Sequence, residues 1–435
     1  MTASSEERNP ALAQHILQRL GEGGQPPEYG IGRINVGNES YLRVLEHEYL
    51  KNLLKLGASF KLVQGYFGAG KTHFLLCVRE LAWRHGFVTA LVELSPAECP
   101  YDDSLKVYRA VARRIAMRPA EVLVSPNYGI GDLVRNVVDD ALEKAAGSGD
   151  GAGARESVER WLSKTVGRAP CESHSYRQAV VGLGLAYLRE DQALEQRIEA
   201  WLLGEPVPQA ELRDAGVYEA LDKSNGFTML RCLTQMVVAL GQPGTVLLFD
   251  EVDRNLSVSA KRSHAIGDNL RQVIDLCGRH QLPSTLFMYA VPPEFMRNVV
   301  PDYPALYQRL KAPLALSVRS PQAVLIDLER LDLEPVELLG QLGERIVDVF
   351  EEARGIALDR EVQARSAKQL AAAAVAAFFE VNHRRLFVKA WVDFLHQQLV
   401  DGERELDAEA ATKMILAGNE ALARPPSDGG DFEDF

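Results

Sequence analysis

The stretch Gly65-Tyr66-Phe67-Gly68-Ala69-Gly70-Lys71-Thr72 fits one short pattern: a glycine, four residues of any kind, then Gly-Lys-Ser/Thr. No other feature of the chain constrains its fold as much, because such a loop works only between an incoming strand and an outgoing helix. The flanks supply both. Phe60-Lys61-Leu62-Val63 reads as a short apolar strand, and His73-Phe74-Leu75-Leu76-Cys77-Val78 begins an apolar-rich helix. Glycines let backbone N–H groups turn inward on phosphate oxygens, and the helix N-terminus adds partial positive charge at the same point. A nucleotide site is therefore predicted, lined by Gly65, Gly68, Ala69, Gly70, Lys71, Thr72 and His73. Lys71 is expected to reach the β- and γ-phosphates and the Thr72 hydroxyl to hold Mg²⁺.

A second motif completes the expectation. Thr245-Val246-Leu247-Leu248-Phe249-Asp250-Glu251 is an apolar strand that ends in two carboxylates. A buried strand would deliver Asp250 from its C-terminal end as a Mg²⁺ ligand. Glu251 would follow it, placed to orient or deprotonate an attacking water, as an ATPase requires.

In chain order, residues 11–20 form a short amphipathic helix that stops at a glycine and proline turn. A helix carrying Leu42, Leu45, Tyr49, Leu53 and Leu56 then leads to the loop, and Val88 to Leu94 reads as a second strand. Strands alternating with helices favour a parallel α/β sheet. Residues 101–240 are helical in pattern with no comparable strand and read as an inserted module, within which 147–154 has linker composition. The sheet resumes at Thr245, a helix runs from about Lys261 to Cys277, and Ser284 to Val291 supplies another strand. After Pro321 helical patterns return at 335–354, 366–380 and 384–400, consistent with a lid. The expected divisions are 1–30, an N-terminal helix and turn; 31–100, the first part of the core; 101–240, the insertion; 241–318, the second part of the core; 319–423, the lid; and 424–435, a disordered acidic tail.

Composition narrows the function classes. A net charge of −12 argues against a protein that coats itself in nucleic acid, which requires clustered cations. The spacing of Lys106, Arg109, Arg113, Arg114 and Arg118 puts several cations along one helical side, so either a solvated face or a local DNA contact is open there. No apolar run is long enough to cross a bilayer and no signal-peptide pattern is seen, which gives a cytoplasmic expectation with no membrane partner. The five scattered cysteines suggest reduced thiols, and the two Cys-x-x-His pairs (Cys171/His174, Cys277/His280) sit in different modules with Cys277 on an apolar helix face, which argues against zinc.

Taken together, Gln25-Pro26-Pro27, Val36-Gly37, the Gly65 to Leu75 stretch, Val107-Tyr108-Arg109, Trp201-Leu202-Leu203-Gly204-Glu205 and Phe249-Asp250-Glu251-Val252-Asp253 resemble the ATP-binding proteins of bacterial phage-exclusion (BREX) defence islands. That family in turn resembles AAA+ ATPases of the replication-initiator branch. The resemblance implies a P-loop NTPase of α/β class, AAA+-like, with a parallel sheet core, a large helical insertion and a C-terminal helical lid. It implies ATP and Mg²⁺ as cofactors, homo-oligomers with ATP at subunit interfaces, and action on DNA or with a defence-system helicase or methylase. Arg309 resembles the family's arginine finger, a surface salt bridge being the other reading. Arg384, with Arg385 as understudy, resembles the lid arginine called sensor 2. Two departures stand out. Ala290-Val291-Pro292-Pro293-Glu294 has proline where relatives carry a polar sensor residue, so hydrolysis is expected to be slow unless Tyr289 substitutes, and the C-terminus leaves little room for a winged-helix domain. The Phe-ended acidic tail resembles a partner-recruiting tip, or is a plain solubilising tail.

Overall fold

The computed structural model describes residues 8–55, 57–95, 99–121, 123–147, 153–250, 260–278, 282–295, 310, 315–377 and 383–423, the side chains of 260–265 and 421–423 excepted. In chain order the elements are α1 (Pro10–Gly21), α2 (Glu39–Val44), β1 (Ala58–Gln64), α3 (Lys71–Arg84), β2 (Val88–Glu93), α4 (Ser104–Arg114), β3 (Ile115–Ala116), α5 (Ile130–Gly147), α6 (Ala154–Lys164), α7 (His174–Leu188), α8 (Gln192–Leu202) and α9 (Gly226–Ala239). There follow β4 (Thr245–Asp250), α10 (Ala260–Gly278), β5 (Thr285–Val291), β6 (Leu325–Asp327), α11 (Pro335–Arg354), α12 (Arg360–Ala376), α13 (His383–Asp401) and α14 (Ala408–Ala423). The chain divides into two compact units. One comprises Met1–Glu39, Gly65–Cys77 and Leu328–Phe435; the other comprises Ser40–Gln64 and Val78–Asp327.

The second unit contains the sheet, six strands in the order β3-β2-β4-β5-β1-β6. All neighbours are parallel except β2 and β3. This is a mixed α/β fold with a mostly parallel sheet. Every residue of β4 and β5 is buried, so side chains on both faces avoid water, which explains why both read as unbroken apolar runs rather than alternating ones. Phe249 of β4 stacks on Tyr289 of β5 at 4.7 Å between ring centroids, and Phe60 of β1 lies 5.1 Å from Tyr289 on its other side.

On β1, Lys61 is almost completely buried; its Nζ donates to the Tyr49 hydroxyl at 2.6 Å and the Ala323 carbonyl at 2.7 Å. The two bonds tie the strand to the turn before it and to the segment that delivers β6.

Three features differ from the sequence reading. The helix leading to β1 is not continuous: α2 passes into a π-helical turn over Leu45–Leu50 and then a 3₁₀ turn over Leu53–Lys55. β6 lies inside the stretch expected to be wholly helical, and three residues are too few to display a strand period. α14 adds a helix beyond the three expected there.

The first unit packs α1 and the helices α11 to α14. Asn9 caps α1 by accepting the Leu12 N–H at 3.0 Å, while its own N–H donates to Glu352, which also pairs with Arg33 at 2.6 Å. Gly343 lets α11 approach α12 closely, since a Cβ there would lie 2.7 Å from the Ala367 Cβ. Its carbonyl accepts the Trp391 indole N–H of α13 at 3.0 Å.

Candidate functional site

The loop that follows β1 belongs to the first unit. Gly68 and Gly70 have φ of 83° and 91°, a region that side-chain-bearing residues avoid, and a Cβ on Gly65 would lie 2.8 Å from the Ala69 Cβ. The loop therefore needs its glycines. Lys71 opens α3 and folds back over the loop, its Nζ donating to the Gly65 carbonyl at 2.8 Å and the Tyr66 carbonyl at 3.0 Å. The Phe74 N–H bonds the Gly70 carbonyl at 2.9 Å, so the helix begins at the loop's last glycine. These features fit a phosphate group: a loop bent at its glycines, a helix N-terminus, and a lysine held across it.

His73 sits one residue beyond Thr72. Its Nε2 is 3.2 Å from Asn35 Oδ1, which also accepts from the Asn38 amide at 3.2 Å and faces the Cys77 thiol at 3.5 Å. Loss of hydration, and then the nearby Arg384 charge, lower the His73 pKa to about 4, so the ring is neutral at physiological pH. With three donors converging on one amide oxygen, the proton belongs on Nε2.

Arg384 and Glu329 complete the surroundings of the loop. One guanidinium nitrogen of Arg384 donates to the Ala69 carbonyl, and the other to the Leu328 carbonyl at 3.4 Å. A Cβ on Gly70 would come within 3.4 Å of the same guanidinium. Burial pulls the Arg384 pKa down while Glu329 opposes it. Glu329 Oε1 accepts the Tyr66 N–H at 2.9 Å. Arg384, named in the sequence reading by resemblance, has its guanidinium on the loop, whereas Glu329 has no sequence signature and nothing in Leu328-Glu329-Arg330 marks it out.

Asp250 ends β4 in the other unit and is buried, with its carbonyl accepting the Leu94 N–H at 2.9 Å. In the sheet, β5 lies between β4 and β1, with Phe249 level with Tyr289 and Gln64 level with Val291. Asp250 and Gln64, the residue before the loop, are thus at the same edge, where parallel strands release their C-terminal ends. Among the described residues no group of three or more His, Cys, Asp or Glu side chains could hold a metal. Mg²⁺ needs only one or two protein ligands beside phosphate and water; of the two side chains expected to hold it, Thr72 lies in the first unit and Asp250 in the second.

Tyr289, the substitute sensor considered in the sequence reading, is buried in the core with its hydroxyl 2.5 Å from that of Tyr101. Glu251, Arg309, His280 and the acidic tail from residue 424 lie outside the described residues.

The cationic stretch on α4 has a definite structural use. Arg109 donates through Nε and a terminal nitrogen to the Gly204 carbonyl at 2.9 and 2.5 Å, and Arg113 pairs with Glu205 at 3.2 Å. Beside them the buried Tyr108 hydroxyl donates to the Leu202 carbonyl at 2.5 Å. Gly204 has φ 76°, and a Cβ there would strike Arg109. The Tyr-Arg and Trp-Leu-Leu-Gly-Glu motifs, far apart in sequence, are two halves of one clasp between α4 and the end of α8.

Among the described residues no helix is long and apolar enough to cross a membrane. No curated protein matches the chain. The family model described as BREX system ATP-binding protein BrxC/D matches residues 9–413, nearly the whole sequence, and the chain belongs to that family of anti-phage defence proteins.

Proposed function

We propose that this chain is an AAA+-like ATPase that couples MgATP binding and hydrolysis to oligomeric assembly on DNA or on a DNA-acting defence complex. The observation that carries the reading is the Arg384 guanidinium on the Ala69 carbonyl: the charged lid residue and the phosphate loop are already neighbours. The glycine conformations, the Lys71 position and the shared sheet edge of Asp250 and Gln64 support it.

In this reading the loop N–H groups and Lys71 bind the phosphates, Thr72 and Asp250 supply ligands to Mg²⁺, and Glu251 orients the attacking water. ATP itself supplies the phosphoanhydride whose cleavage drives the change. Arg309 from a neighbouring subunit and Arg384 from the lid stabilise charge on the transferring phosphoryl group. The helicase or methylase partner and the DNA contact belong to the same proposal. A second reading, a switch that binds ATP and turns it over slowly while holding a partner, is favoured by Pro292 after β5 and by the engaged Tyr289 hydroxyl.

Steady-state hydrolysis by wild type and Glu251→Gln, with and without single- and double-stranded DNA and across protein concentrations, separates the two. Turnover that DNA stimulates, that rises more than linearly with protein and that vanishes in Glu251→Gln is the expected result. Tight ATP binding with negligible turnover in every condition selects the switch, and failure to bind ATP rejects both.

A further inference from the structure

We propose that Glu329 is a positioning residue that sets how strongly the phosphate loop prefers a nucleoside triphosphate over the diphosphate. The inference rests on the ATP-binding reading above and deepens it.

Three contacts carry the argument, all inside one unit. The Glu329 carboxylate accepts the Tyr66 N–H at 2.9 Å, so a protein anion sits on the phosphate loop itself. A Cβ on Gly65 would be 3.5 Å from the same oxygen, which shows how closely the carboxylate follows the backbone there. Arg384 donates to the carbonyls of Ala69 and Leu328, the latter being the residue next to Glu329. Loop, carboxylate and guanidinium are thus held in one arrangement, with the positive charge of Arg384 offsetting part of the negative charge of Glu329.

The consequence depends on which nucleotide is bound. A diphosphate leaves Arg384 with its backbone acceptors and close to Glu329. A terminal phosphate draws the guanidinium toward itself, and Glu329 then faces additional anionic charge with less cationic compensation. Glu329 is exposed, so the dielectric of water applies, and like charges about 4 Å apart still repel by about 1 kcal/mol there. Glu329 therefore lowers affinity for the triphosphate more than for the diphosphate, so that exchange is governed by nucleotide ratio.

The test is equilibrium binding of MgATP and MgADP to the full chain by titration calorimetry, for wild type, Glu329→Gln, Glu329→Asp and Glu329→Ala. Gln keeps an oxygen for the Tyr66 N–H but removes the charge. It should raise the ATP-to-ADP affinity ratio by about fivefold, a size set by one unit charge acting at this range. Asp, which keeps the charge on a shorter arm, should give an intermediate ratio. It serves as the second variant if Gln does not fold. Adding Arg384→Ala should shrink the effect of Gln on the ratio, because only the direct repulsion between Glu329 and the terminal phosphate then remains. A merely structural Glu329 predicts otherwise: Gln would behave as wild type, and Ala would weaken both nucleotides equally. That result, or a ratio unchanged in both Gln and Asp, overturns this proposal while ATP binding by wild type leaves the broader reading standing. Wild type that binds neither nucleotide overturns both.

Discussion

Lys61 shows how one side chain can be decisive without touching the site. It is 1% exposed, its hydrogen-bond partners are the Tyr49 hydroxyl and the Ala323 carbonyl, and loss of hydration lowers its pKa to about 7. An unfolded chain keeps this lysine protonated up to its ordinary pKa, so between pH 7 and about 10.5 the unfolded state binds more protons than the folded one. Stability from this group therefore rises with pH across that window. Thermal melts from pH 7 to 10 should show wild type gaining on Lys61→Met as pH increases; parallel curves would mean that Lys61 is charged in the fold. At this scale the sequence revealed the loop residues, because their spacing is itself the chemistry. It could not reveal Glu329, whose partner Tyr66 is 263 residues away. Nor could it reveal the fate of Tyr289, since a tyrosine in an apolar strand looks the same whether its hydroxyl faces a substrate or, as here, Tyr101.

Among the elements, β1, β2, β4 and β5 were legible because each is a run of six or seven residues with strong apolar character. β6 was not, and it is recognisable only through its pairing of Leu62 with Leu325 and Val63 with Ile326. The break of the lead-in helix into α, π and 3₁₀ turns was equally hidden, because its apolar spacing suits one continuous helix. The clasp between α4 and α8 is the element-scale finding with the clearest energetic content. Tyr108→Phe leaves the buried Leu202 carbonyl without its donor and should cost about 1 to 2 kcal/mol in denaturant unfolding. Arg109→Ala should add further loss through Gly204. If Arg109→Ala instead unfolds like wild type but weakens DNA binding, the cationic side of α4 serves nucleic acid first.

For the whole molecule, ligand linkage offers a direct check on how the chain is partitioned. The phosphate loop groups with Leu328–Phe435 rather than with the sheet from which it emerges. MgATP should therefore slow amide exchange in residues 65–74, 328–331 and 383–386 together. Protection confined to 65–74 would show the loop responding alone. At a hundredfold excess over the dissociation constant, the accompanying stabilisation should be about 2.7 kcal/mol. The same partition has a consequence for synthesis. Ribosomes emit a chain from its N-terminus, and residues 65–77 leave the tunnel long before Leu328, Glu329 and Arg384 exist. The sheet-containing unit ends at Asp327, whereas the loop stays without its partners until Glu329 and Arg384 have been added. A nascent polypeptide therefore carries the loop without the carboxylate and the guanidinium that hold it until residue 384 has been made.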